Sequence, residues 1–177
     1  PFTEDKRYLI GRMLHSSNGS DLMLKNKIEM LIDGDATFNS LKNELRSAKH
    51  YIHMQYFIIK DDEIGREIRD LLAEAARRGV KIRVLYDAVG SWSLKVKYFK
   101  PLFDLGVECH AFMPVALPIF RRQMNYRNHR KIVVIDDRVA FTGGLNVGDE
   151  YLGKGVTKVL CTDISKDGML NGPATAL

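Results

Sequence analysis

Asn128 to Asn146, NHRKIVVIDDRVAFTGGLN, is the stretch whose reading decides the fold. His129 and Lys131 are two residues apart, and in an extended segment residues two apart share a face. Both side chains are therefore expected to point into one site. Ile132 to Ile135 follow as an unbroken apolar run, which predicts a strand buried on both faces. Asp136-Asp137-Arg138 reads as a tight turn, and Val139 to Thr142 as the returning strand of a hairpin. Gly143 and Gly144 let backbone approach a ligand and free amide donors for anionic oxygens. Asn146 adds a side-chain amide.

These residues together supply a nucleophile, a fixed cation, amide donors and a carboxylate. That is the equipment of a phosphoryl-transfer site that calls for no metal and no cofactor. An imidazole can attack phosphorus and form a covalent intermediate. Lys131 and the amides would stabilise charge on the non-bridging oxygens. His-x-Lys by itself is common. The whole pattern H-x-K-x4-D-x6-G-G-x-N is expected by chance at only about one in 10^8 starting positions.

Outward from the hairpin, strands alternate with helices. Lys27 to Gly34 reads as a strand and turn, followed by a helix over Ala36 to Ala48 with Phe38, Leu41 and Leu45 on one face. His50 to Ile59 reads as a buried strand. Asp61-Asp62 can cap a helix with Ile64, Ile68, Leu71, Leu72 and Ala75 as its apolar stripe, stopped at Gly79. A strand then ends near Asp87, which either lines the active crevice or caps the next turn. A basic amphipathic segment over Ser93 to Leu105, carrying Lys95, Lys97 and Lys100, precedes a short strand at Val107 to Phe112. Alternation at this spacing predicts an α/β fold, a mixed sheet with helices on both faces. His50 and His53 are expected to face opposite ways and to share no metal.

The residues quoted above resemble the HKD motif of the phospholipase D superfamily, and the surrounding text is similar to the first half of a bacterial cardiolipin synthase. Asp33 to Phe38 (DGDATF), AEAARRGVKIRVLYDAVGS and TGGLNVGDEYLG carry the similarity, which runs from about Asn18 to Gly153. The resemblance implies a phospholipase-D-like first catalytic half over residues 1–155, one of the two repeats of the usual enzyme. It makes His129 the nucleophile. Lys131 and Asn146, with Gly143 and Gly144, hold the phosphate oxygens, and Asp136 orients or supports a histidine, one from a partner half included. The implied reaction joins two phosphatidylglycerol molecules into cardiolipin and releases glycerol. The implied setting is the cell membrane of a bacterium.

Two features depart from that pattern. The chain has five histidines, and only His129 has a lysine two residues on. The superfamily uses two such motifs, so the second must come from elsewhere in a parent protein or from a homodimer mate. A homodimeric single-motif phosphodiesterase or nuclease, or an inactive fragment, are the alternatives. The other departure is the tail, residues 156–177, which resembles a strand and loop of the (β/α)8-barrel isomerase of histidine biosynthesis acting on phosphoribosylformimino-aminoimidazole carboxamide ribotide. Thr157 to Asp163 would be the strand, Ser165 to Asn171 the loop, and Asp167 matches a catalytic aspartate there. One strand and loop of eight cannot build that site. The tail reads as foreign, with a strand able to add to an open sheet edge.

The apolar run Met113 to Phe120 leads into Arg121 and Arg122. Phe120, Arg121 and Arg122 are expected to contact an anionic membrane surface. The 177-residue chain is 45% apolar and 28% charged with a net charge of +5, an ordinary globular composition with a mild bias toward anionic partners. Nucleic acid is disfavoured, because basic and aromatic residues do not interleave as single-strand binders require. Cys109 and Cys161 form no zinc or redox motif. No apolar run reaches the about 18 residues of a transmembrane span. The chain opens on Pro1 and reads as a piece of something longer.

Overall fold

A computed structural model describes residues 9, 11–13, 15–17, 19, 26–114 and 127–153, and residues 159–163 as backbone. Residues 28–165 form one compact unit, and residues 1–27 with 166–177 form another. The expectations for Phe120, Arg121, Arg122, the loop Ser165 to Asn171 and Asp167 lie outside the described residues.

The larger unit is built on β1 (Ile28–Leu31), α1 (Gly34–Ser47), β2 (Tyr51–Tyr56), α2 (Glu63–Arg77), β3 (Lys81–Asp87), α3 (Val96–Phe103), β4 (Glu108–Phe112), β5 (Ile132–Ile135), β6 (Val139–Thr142) and β7 (Val159–Asp163). A 3-10 turn spans Asp149–Tyr151. The strands form one sheet in the order β1-β7-β6-β5-β2-β3-β4. β2, β3 and β4 are parallel, joined by the crossovers that α2 and α3 supply, whereas β5 runs antiparallel to β2 and β6 to β5. This is the expected α/β mixed sheet.

Local chemistry explains the elements. Asp33 caps α1 by accepting from the Ala36 amide at 2.7 Å, so the helix starts two residues before the apolar pattern does. Asp62 caps α2 through Gly65 N, and Asp149 accepts from Glu63 N and Ile64 N at the same helix end. Gly79, at φ +90°, takes the left-handed conformation that ends α2. In α3, Pro101 lies inside the helix, where it lacks the N–H that would bond four residues back. β2 is shorter than the apolar run suggested. It ends at Tyr56, and Ile59 bridges instead to Val147.

Alternation along the strands places Ile52, Met54, Ile82, Val84, Val133, Ile135 and Phe141 in one buried core with the apolar faces of α1, α2 and α3. Tyr98 Oη of α3 donates to Gly65 O of α2 at 2.6 Å, and Lys42 of α1 pairs with Glu67 of α2. Among the described residues, α1 to α3 thus line this one face, where helices on both faces were expected. The other face carries exposed His53, Arg83 and His110, with half-buried Gln55, Leu85 and Val134. The expectation that β5 is buried on both faces is corrected here. Val133 and Ile135 are fully buried, whereas Ile132 and Val134 are only half-buried.

The tail's strand pairs antiparallel with both β1 and β6. It therefore lies inside the sheet of the larger unit. Burial pushes the Cys109 thiol up to about 12, which leaves it inert as a nucleophile.

Candidate active site

β5 runs antiparallel to β2, so the residues just before β5 lie beside the residues just after β2. This brings His129 onto Phe57. The two rings stack with centroids 3.8 Å apart and planes 22° from parallel. Lys131 Nζ lies 5.6 Å from the centroid of the same ring and donates to His129 O at 2.7 Å. The imidazole and the ammonium thus gather on one aromatic platform. Phe57 was not legible as a site residue, since it reads as one more apolar residue of a buried strand. An open groove of about 710 Å³ lies beside them, lined by Phe112, Arg127, Asn128, His129 and Arg130. A smaller hollow of about 300 Å³ lies on the open sheet face and includes His53, Arg83 and His110, but not His129.

Lys131 is held below the ordinary lysine value by burial. Partial burial thus costs the ammonium some of its hydration. A bound anion would offset that desolvation.

Asn146 is buried beside the platform, with its amide committed to the protein. Its Oδ1 accepts from Ile58 N at 3.0 Å, and its Nδ2 donates to Tyr151 Oη at 3.0 Å. Val147 N donates to Ile58 O and Lys60 N to Val147 O, which fastens this segment along the chain leaving β2. Gly144 is exposed, and a Cβ there would meet nothing within 4 Å. Among the described residues no close contact demands this glycine.

Asp136 lies elsewhere. It sits at the opposite end of β5 from His129, in a two-residue hairpin turn where Asp136 and Asp137 have φ of +55° and +51°. Positive φ at both central residues matches the twist of the strands, and Asp tolerates it. Its carboxylate accepts from the amides of Lys49, His50 and Tyr51 at 2.7 to 2.8 Å. Burial alone would raise its pKa, but the amides of Tyr51, Lys49 and His50 outweigh it and leave the carboxyl below its usual value. That stabilisation is present above the usual carboxylate value and is lost as pH falls through the lowered one. Within this chain, then, Asp136 pins the hairpin to the start of β2, away from the His129 imidazole.

Asp87, for which lining and capping were both open, caps. Its Oδ1 accepts from Val89 N at 2.8 Å and Gly90 N at 2.9 Å. Its Oδ2 faces Arg127 Nη1 at 3.6 Å, with both side chains almost fully buried, and the same nitrogen donates to Met113 O. Arg127 is two residues before His129, so this ion pair anchors the chain entering the motif. The turn that Asp87 shapes also meets Phe57, because Ser91 Oγ donates to Phe57 O and accepts from Ile59 N. At Gly90 a Cβ would lie 2.3 Å from Phe57 O. Gly90→Ala is therefore expected to push Phe57 out from under His129. Loss of the upfield ring-current shift of the His129 ring protons would report this by NMR, and unchanged shifts would show that the contact relaxes without moving Phe57.

Among the described residues, no three or more of His, Cys, Asp and Glu are grouped to hold a metal ion. No helix among them is long and apolar enough to cross a membrane.

The arrangement defines an α/β domain with a histidine and a lysine on one ring at a sheet end. A sequence model of the family described as "Cardiolipin synthase, PLD-like domain" matches residues 41–156. The chain belongs to that family. It is 48% identical over 146 residues to a cardiolipin synthase of Halalkalibacterium halodurans, covering 82% of this chain and 29% of that protein. It is 45% identical over 143 residues to a cardiolipin synthase of Staphylococcus aureus, covering 81% of this chain and 29% of that one. The chain thus spans under a third of the curated relatives it matches. Solved structures share the fold. NucT from Helicobacter pylori aligns with a TM-score of 0.59 at 16% identity, over 80% of this chain and 87% of its own. A phosphatidylserine synthase of Haemophilus influenzae aligns with a TM-score of 0.58 at 18% identity, over 77% of this chain and 33% of its own.

Proposed function

We propose that this chain supplies one half of the active site of a phosphatidyltransferase that makes cardiolipin from two molecules of phosphatidylglycerol. An imidazole nitrogen of His129 attacks phosphorus, the bond from phosphorus to the glycerol oxygen breaks, and a phosphatidyl-histidine forms. The hydroxyl of a second phosphatidylglycerol then attacks that phosphorus and frees the histidine. Lys131 neutralises the non-bridging oxygens. The amides at Gly143 and Gly144, and Asn146 through the Nδ2 group that donates to Tyr151 Oη, complete the anion's cradle. Asp136 acts at a distance by fixing the β5–β6 hairpin. A second motif-bearing half, from a parent chain or a homodimer mate, supplies the acid that protonates the departing glycerol. No cofactor enters. Residues 1–155 form the catalytic half, and residues 156–177 are an added tail. The working place is an anionic bacterial membrane surface, with Phe120, Arg121 and Arg122 among its contacts.

The observation that carries this reading is the placement of His129 and an under-solvated Lys131 on one ring, in a chain 48% identical to a cardiolipin synthase. The test is turnover of phosphatidylglycerol in mixed micelles. Cardiolipin and glycerol are expected from the chain joined to a second half, and little product from a strictly monomeric chain, since general acid catalysis is typically worth about 10^2 to 10^4 in rate. Cleavage of single-stranded DNA without any lipid product would replace this reading with the homodimeric nuclease.

A pH prediction follows from Lys131. Activity needs the ammonium, and its folded pKa is depressed. Activity should therefore decline as pH rises through a value below the ordinary lysine range. Lys131→Arg keeps its charge over that range, so the alkaline limb of kcat/KM should move up or vanish. An identical limb in the arginine variant would show that another group titrates.

A further inference from the structure

Trp92 is the chain's single tryptophan, and it is 83% exposed. Val96, at the start of α3, is 78% exposed. Single exposed apolar side chains are ordinary, but here the only tryptophan and a valine are exposed within five residues. Lys95 and Lys97 are exposed around them. No acidic residue occurs between Asp87 and Asp104, and the next lysine, Lys100, is paired with Asp104 at 2.8 Å. This stretch of chain therefore carries two exposed apolar side chains and two exposed lysines with no acidic residue among them.

Its place in the fold matters as much as its composition. β2 and β3 are parallel, so the loop leaving β3 and the chain leaving β2 emerge at one end of the sheet. Gly90 and Ser91 in that loop contact Phe57, which carries His129. Trp92 follows Ser91 directly.

We infer that Trp92, Lys95, Val96 and Lys97 form a docking surface for an anionic lipid bilayer, at the same end of the sheet as His129. This rests on the lipid reading of the site and names residues that would bring it to its substrate. Tryptophan suits the boundary between headgroups and acyl chains, because its ring is apolar and its N–H is polar. Lysines beside it can bury their stems while their charges reach lipid phosphates. Protein interfaces are depleted of lysine at their cores. Nucleic-acid stacking would use the indole but has no role for Val96.

Trp92 is its own probe. Its fluorescence should shift to the blue when the chain meets vesicles of phosphatidylglycerol and phosphatidylcholine, and brominated acyl chains should quench it. High salt should reverse the shift. Lys95→Gln with Lys97→Gln, which keeps the probe, should weaken partitioning about thirtyfold at low salt. Val96→Ser should weaken it further in vesicle flotation. No shift with the anionic vesicles would overturn the inference. So would an equal shift with single-stranded oligonucleotide, or a shift on self-association without lipid. Binding is read without turnover, so failure here would leave the histidine chemistry standing, and failed chemistry would leave vesicle binding standing.

Discussion

His129→Ala, placed in a protein where a second motif-bearing half completes the site, is expected to lower phosphatidyl transfer by about 10^4-fold or more, the scale seen when a covalent nucleophile is removed. The fold should survive. His129 is exposed and its ring stacks on Phe57, so truncation opens no cavity in the core. His129→Asn should lose as much activity, because an amide cannot attack phosphorus. Melting temperatures within a degree or two of the parent, with activity gone, would separate chemistry from stability. Substantial transfer by either variant would remove His129 from the reaction.

Asp87→Ala is expected to have the largest effect on stability. It would leave the Arg127 guanidinium buried without the carboxylate it faces, and it would free the amides of Val89 and Gly90. Breaking a buried pair by removing one partner typically costs about 3–5 kcal/mol, a large part of the roughly 5–15 kcal/mol that stabilises a domain. The same change loosens both supports of His129, the chain through Arg127 and the ring through Phe57. Asp87→Asn can still accept from the two amides, so it should recover part of the stability but not the charge pairing. Urea denaturation decides the matter. A midpoint in Asp87→Ala equal to the parent's would show that Arg127 finds solvent or another partner at no cost.

Much of the fold was legible because its determinants are local. Asp33 and Asp62 stand where caps belong, the stripe Ile64, Ile68, Leu71, Leu72 is a helix face, and Asp136-Asp137 suit a tight hairpin. The site's pair was legible for the same reason, since His129 and Lys131 are neighbours in sequence. What stayed hidden depends on contacts between distant residues. Phe57 meets His129 across 72 positions, Asp87 meets Arg127 across 40, and Asp136 collects amides 85 to 87 positions away. A spacing pattern cannot show which way a carboxylate turns, and within this chain the Asp136 oxygens hold the backbone ahead of β2. The half-exposed face of β5 escaped for a related reason. Ile132 and Val134 are apolar, and sequence alone does not say whether a layer lies over them.

The central claim, that His129 is the covalent nucleophile, can be tested on this chain without its second half. Bis(p-nitrophenyl) phosphate has a leaving group that departs without protonation, so the missing acid is not needed. His129 would attack phosphorus, one p-nitrophenolate would leave, and the p-nitrophenyl phosphoryl group would remain on the imidazole. The expected result is a burst of up to one p-nitrophenolate per chain, followed by a mass increase on the peptide containing His129 and on no other. The same burst from His129→Ala, or an adduct mapped to a different residue, would contradict it.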